Sequence, residues 1–222
     1  MEDLHLSFTE ENYLKSLIHL TVLSLAKIEV GTNELAVNLN VKPATVNDML
    51  KKLKEKKLIN YERYGKISLT EIGRLAGMEV LRKHRLWETF LVEKLDFSWD
   101  EVHEVAEQLE HIHSRKLIDR LDSLLDFPKF DPHGDPIPNA KGEIEILTRK
   151  TLNEIEIGEK YRLVAVKDNS SAFLQYVNKL GLTIGSEIEI ASKEIYDELL
   201  HLIIDDQTFT VSKKFAENLF VV

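Results

Sequence analysis

Two short runs of this sequence place imidazole and carboxylate groups at helical spacing. One reads R-K-H-R-L-W-E and carries His84 and Glu88; the other reads H-E-V-A-E-Q-L-E-H and carries His103, Glu107, Glu110 and His111. Side chains three or four residues apart share a helix face, so each run can present several donors together. On a wheel at about 100° per residue, Val102, Val105, Ala106 and Leu109 fall on one side of the second run. His103, Glu107, Glu110 and His111 fall on the other. His84 and Glu88 instead lie among Val80, Trp87, Leu91 and Leu95, on an apolar side. A carboxylate in such a place is costly unless it is paired or bound to metal. Facing helices that pool such residues form carboxylate-rich metal sites. Oxygen and imidazole donors without sulfur suit Mn²⁺, with Fe²⁺ close behind, and Zn²⁺ also takes His and Glu.

The elements that must position these groups are set within a 222-residue chain of 43% hydrophobic and 30% charged residues. That is ordinary for a soluble globular protein and enough for one to three small domains. No apolar run is long enough to span a bilayer. The acidic, polar start MEDLHLSFTEEN is not a secretory signal. Cysteine is absent, which excludes disulfides and thiolate metal sites. A cytoplasmic protein without a membrane partner is expected. The net charge of −9 is unevenly spread: from Val41 to Arg85 there are twelve basic and five acidic residues, an excess of seven. A basic stretch in an acidic chain is the pattern of a DNA-binding module joined to a sensor.

Ser7 and Glu10 have capping-box spacing, so a first helix is expected from near Thr9. A short helix over Thr32–Asn40, a turn at Val41–Pro43 and an amphipathic helix with Val46, Leu50 and Leu53 inward make a helix-turn-helix. Two short strands around Tyr64-Gly65-Lys66 add a hairpin wing. Thr45, Asn47 and Asp48 are placed to reach base edges or phosphates, and Lys42, Lys51, Lys52, Arg63 and Lys66 to hold the backbone. One long helix is expected over Thr70–Leu95, another from Ser98 or Asp100 through His111, and a third from Ser114, the last two suited to pairing with a second copy. The prolines of F127-P-K-F-D-P-H-G-D-P-I-P mark a boundary. Beyond about Glu143, short strands at E159-K-Y-R-L-V-A-V, S186-E-I-E-I-A, L200-H-L-I-I-D and F209-T-V-S, with a helix near Ser171–Leu180 and a turn at Gly185, suggest a small barrel. The class is α+β: a winged helix over 1–70, a helical metal-binding and dimerisation domain over 71–142, and a β-barrel over 143–222.

The winged helix, the R-K-H-R-L and H-x-x-x-E-x-x-E-H helices, the P-H-G-x-P-I-P loop and the C-terminal G-S-E-I-E-I together resemble the diphtheria-toxin-repressor / manganese-transport-regulator family. The resemblance covers nearly the whole chain and implies an SH3-like, FeoA-type C-terminal barrel. It further implies a homodimer that binds a palindromic double-stranded operator when loaded with Mn²⁺ or Fe²⁺, repressing metal-uptake genes. Carried over, a primary site uses His84, Glu107, Glu110 and His111 with Asn12. Glutamate at 107, where iron-type members have cysteine, resembles the manganese type. Asn12 departs from the usual aspartate or methionine, and Lys15 stands where some manganese members have glutamate. A second site draws on Glu88 and His103, on the loop residues Asp131 and His133, and on an acid of the barrel, for which Asp168 is the candidate. Ser170 and Phe173 align with the Glu and Gln that toxin-repressor-type members use there.

An enzyme is not expected. H103-E-V-A-E107 and E107-Q-L-E110-H111 approach the direct and inverted zinc-peptidase motifs, but both need histidine at 107. The alternative is a metal-independent winged-helix regulator whose C-terminal domain binds a peptide or partner protein.

Overall fold

Helix α1, Phe8–Ile18, starts on the expected capping box: Ser7 Oγ accepts from the Glu10 amide and Glu10 Oε2 from the Ser7 amide at 2.8 Å. The computed structural model describes residues 5–24, 27–62, 65–145 and 148–222. Burial disfavours the charge on Glu10, but Lys56 at 2.9 Å and the Ser7 amide outweigh it and hold the carboxyl below its usual range. The chain forms two compact units. One comprises Met1–His84, Glu107–Asp119 and Ile137–Ile146, the other Arg85–Ala106, Arg120–Pro136 and Leu147–Val222.

In the first unit, α1 passes into a π-helical turn at His19–Leu23. Helix α2, Thr32–Asn38, and α3, Pro43–Glu55, follow, with Pro43 opening α3 as expected. Pro costs nothing there because the first-turn amides have no helical partner. Val46, Leu50 and Leu53 of α3 are buried with Tyr13, Leu14 and Leu17 of α1 and with Leu35 of α2. Strands β1, Ile59–Tyr61, and β2, Ile67–Leu69, pair antiparallel, and Val30 bridges to Ile67. This is the expected winged helix. Arg63 and Tyr64 at the wing tip lie outside the described residues.

Helix α4, Glu71–Leu95, crosses α1 at close range. A Cβ on Gly77 would lie 2.7 Å from Ile18 Cγ1 and 3.0 Å from the Leu14 carbonyl oxygen. His84 lies seven residues on, two turns along the same face, so the crossing brings α1 alongside the first predicted ligand. Helix α5 spans Val102–Leu109, shorter at both ends than the expected Ser98 or Asp100 to His111. Glu110 and His111 sit in the turn that follows and are buried, where the wheel continues the helix through both. Helix α6 spans Arg115–Leu124.

The second unit contains a six-stranded antiparallel sheet in the order β3-β8-β4-β5-β6-β7. Its strands are β3 (Lys150–Thr151), β4 (Lys160–Val166), β5 (Glu187–Glu194), β6 (Leu199–Ile204), β7 (Gln207–Ser212) and β8 (Leu219–Val221). Helix α7, Ser171–Lys179, is capped by Ser170, and α8, Lys213–Ala216, by Ser212. β4 to β7 and α7 match expectation. β3, β8 and α8 add to it, because two to four residues are too few to display a period.

Gly73 and Gly77 both sit at close approaches, with different consequences. A Cβ on Gly73 would lie 1.9 Å from the Leu58 carbonyl oxygen, an immovable backbone atom, whereas that on Gly77 would meet the fully buried, β-branched Ile18 at 2.7 Å and the Leu14 carbonyl oxygen at 3.0 Å. Alanine in place of helical glycine gains about 1 kcal/mol, which offsets neither clash in full. Gly73→Ala is therefore expected to lower stability by about 2 kcal/mol or more and Gly77→Ala to lower it by less, as read by chemical denaturation.

Candidate metal centres and nucleic-acid face

The first unit gathers His84 of α4, Glu107 of α5 and Glu110 of the following turn, with ligand atoms all within 4.8 Å of one another. Glu110 is fully buried. Its Oε2 lies 2.6 Å from His84 Nδ1 and 2.7 Å from Lys15 Nζ, and Lys15 Nζ also donates to Glu107 Oε1 at 2.6 Å. Glu110 Oε1 has no hydrogen-bond partner among the described residues and faces His111 Nε2 at 3.8 Å. The Asn12 side-chain oxygen is likewise buried and accepts no hydrogen bond among the described residues. Orphaned buried oxygens are rare because each forfeits its hydration, and a cation satisfies them. Four of the five predicted residues, His84, Glu107, Glu110 and His111, thus come together. Asn12 is on the same helix as Lys15, three residues before it.

Glu11 was not predicted. Its Oε2 lies 2.5 Å from His111 Nδ1 and its Oε1 3.3 Å from Lys83 Nζ. A carboxylate only accepts, so Nδ1 carries a proton and Nε2 is the ring nitrogen turned toward Glu110. This is how carboxylates commonly orient metal-binding histidines. Phe8 stacks on the His111 ring with centroids 4.5 Å apart. In the sequence Glu11 reads as an ordinary acid of a helix's first turn, favoured there by the helix dipole.

The second unit gathers Glu88 of α4 with Asp131 and His133 of the proline-rich loop, all buried and again with ligand atoms within 4.8 Å. His133 Nε2 donates to the Trp99 carbonyl at 2.8 Å, while its buried Nδ1 has no hydrogen-bond partner among the described residues and lies 3.8 Å from Glu88 Oε2. His103 is half-exposed and reaches Glu88 Oε1 with Nδ1 at 3.3 Å. Asp168 is not in this group: its Oδ1 accepts from the Ser170 amide ahead of α7. The loop is fixed by Gly134, at φ +83°, where a Cβ would lie 2.0 Å from the Val164 carbonyl oxygen of β4. It is also held by Arg85, which reaches Asp131 at 3.4 Å and Asp135 at 3.0 Å. Arg85 and Trp99 were not singled out from the sequence. Nothing in their spacing marks them.

On the winged helix, Lys42, Thr45, Asp48, Lys51 and Lys52 are exposed along α3. Asn47 is less free, because Tyr61 Oη donates to its Oδ1 at 2.7 Å, and Asp48 pairs with Lys51 at 3.0 Å. Lys66 lies 3.8 Å from Glu29.

Three family models match the chain. An iron-dependent repressor N-terminal DNA-binding domain covers residues 5–67, an iron-dependent repressor metal-binding and dimerisation domain covers 70–139, and a FeoA domain covers 150–222. A solved manganese-dependent transcriptional repressor in complex with manganese is 32% identical, covering 96% of this chain and 99% of that one with a TM-score of 0.86. The chain belongs to the diphtheria-toxin-repressor / manganese-transport-regulator family. ScaR with bound Cd²⁺ is 34% identical over 96% of this chain and 98% of its own, with a TM-score of 0.78. Among curated sequences, the iron-dependent repressor IdeR of Mycobacterium bovis is 32% identical over 59% of this chain and 55% of that protein. The chain spans about half or less of the length of the first curated relatives it matches. The FeoA domain match spans the antiparallel sheet of β3–β8. No helix among the described residues is long and apolar enough to cross a membrane.

The Asp131 carboxyl of this family member is held well above its usual range, first by burial and then by the Glu88 and Asp135 charges, against Arg85. A carboxyl raised in the folded state contributes stability that is full below its unfolded pKa and is lost as pH rises through the folded value. In chelator, the thermal midpoint is expected to decline from the ordinary carboxylate range upward. Asp131→Asn should flatten that decline; superimposable pH profiles for the two proteins would refute it.

Proposed function

We propose that this chain is a metal-dependent, DNA-binding transcriptional repressor of metal-uptake genes, acting in the cytoplasm as a homodimer on a palindromic operator. We read it in three parts: a DNA-binding domain over 1–70, a metal-binding and dimerisation domain over 71–142, and a FeoA-type domain over 143–222. The observation that carries the reading is that α1 serves two roles. Its Tyr13, Leu14 and Leu17 belong to the winged-helix core that holds α3, and its Glu11 and Lys15 contact the histidine–carboxylate centre.

His84, Glu107, Glu110 and His111 would hold a divalent ion, with Asn12 from α1, while Glu11 orients the His111 ring. The ion would supply the positive charge that these carboxylates call for, and the first helix, and through the shared core α3, would be tied to the centre. Ordering this arrangement in advance lowers the cost of docking on DNA. Lys42, Lys51, Lys52 and Lys66, with Arg63, would hold phosphates, and Thr45, Asn47 and Asp48 would meet base edges. Mn²⁺ is the preferred ion, because the centre offers oxygen and nitrogen without sulfur. Fe²⁺ and Zn²⁺ are the alternatives. Glu88, His103, Asp131 and His133 would hold a second ion. The protein is not an enzyme.

DNA selected from a random-sequence pool in the presence of Mn²⁺ provides the probe. Fluorescence anisotropy should show affinity rising on the order of tenfold or more with metal, more with Mn²⁺ than with anaerobic Fe²⁺ or Zn²⁺ at matched free concentration. Glu110→Gln should abolish the metal response. Binding that ignores chelator would favour a metal-independent regulator instead.

A further inference from the structure

Lys15 occupies an unusual place. Its side chain is nearly buried, and its ammonium donates to Glu107 Oε1 at 2.6 Å and to Glu110 Oε2 at 2.7 Å. These are two of the three groups whose ligand atoms cluster within 4.8 Å. The same Glu110 oxygen also lies 2.6 Å from His84 Nδ1. The lysine therefore sits on the oxygens an incoming cation needs. An ammonium can form three hydrogen bonds and carries a compact charge, so it serves two carboxylates at once much as a metal ion would.

We propose that Lys15 is a tethered internal cation that sets both the ion count and the affinity of this centre: one divalent ion binds, and the lysine takes the place of a second. This inference rests on reading the centre as the metal sensor. Histidines aside, Glu11, Glu107 and Glu110 bring three negative charges to the centre, and Lys15 and Lys83 two positive ones. The deficit is one charge, which a single divalent ion already overshoots. A second would leave a larger excess of positive charge at a largely buried centre, and buried charge without a partner is costly. The first ion must also loosen the ammonium from at least one carboxylate. Because the lysine is bonded to α1, this exchange happens on the helix that also builds the winged-helix core.

The test is a titration of the full-length protein with Mn²⁺ alone, read by isothermal calorimetry and electron paramagnetic resonance. The difference in bound ions between wild type and Glu110→Gln counts those at this centre, and it should be one per chain, without the spectrum of an exchange-coupled pair. Lys15→Met should bind that ion about tenfold or more tightly, since a like charge at contact distance is removed. Lys15→Arg, which keeps the charge, should stay near wild type. Lys15→Glu should admit a second ion and show the coupled spectrum. A coupled pair in wild type that Glu110→Gln abolishes would overturn the proposal, as would Lys15→Met binding with wild-type affinity. If Glu110→Gln binds as many ions as wild type, the centre is not the sensor and the proposal falls with that reading.

Discussion

Burial of the Glu110 carboxylate is the constraint around which the first unit is arranged. A fully buried charge is tolerated only where opposite charges and donors surround it, and Glu110 recruits its company from three separate places. Lys15 comes from α1, His84 from α4 and His111 from the adjoining position. Lys15 and His84 are delivered at hydrogen-bond range and His111 within 3.8 Å. The need for these partners explains the capping box that fixes the register of α1, and the glycine at which α1 and α4 cross. It also explains Glu11, which holds His111 so that its other ring nitrogen points toward Glu110. Removing one partner leaves the buried carboxylate short of compensating charge unless another cation takes that place.

The second centre applies the same physics with different means. Here the buried acids are Glu88 and Asp131, and the compensating cation is Arg85, whose planar head reaches both Asp131 and Asp135. An arginine holds a loop by geometry, whereas the lysine of the first centre is a mobile point charge. The contrast fits a first centre that exchanges cations and a second whose loop is fixed in place. Trp99 strengthens the fixture: its carbonyl accepts from His133 Nε2, and its indole nitrogen donates to Asn178 of α7 at 2.8 Å.

Much of this was legible before any coordinates. The helix-turn-helix, the wing and the long α4 follow from capping signals and from apolar periods that local chemistry enforces. The histidine–glutamate set stood out because a His84–Glu88 pair on an apolar face has no ordinary explanation. The turn at Glu110 and His111 was not legible, because a wheel continues a helix for as long as one asks it to. Glu11 was hidden by a competing role as a first-turn acid. Arg85 and Trp99 act through folding that brings distant segments together, which no local pattern encodes. The strand β8 was too short to be periodic, although its Leu219 and Val221 are buried.

That last strand bears on how the molecule is made. β8 lies between β3 and β4, so the sheet of the second unit lacks an interior member until residues 219–221 exist. All segments of the first unit lie within the first 146 residues. On a chain emerging from the ribosome, domains complete in order of synthesis. The winged helix and its histidine–carboxylate cluster can therefore close while the sheet beyond still gapes between β3 and β4.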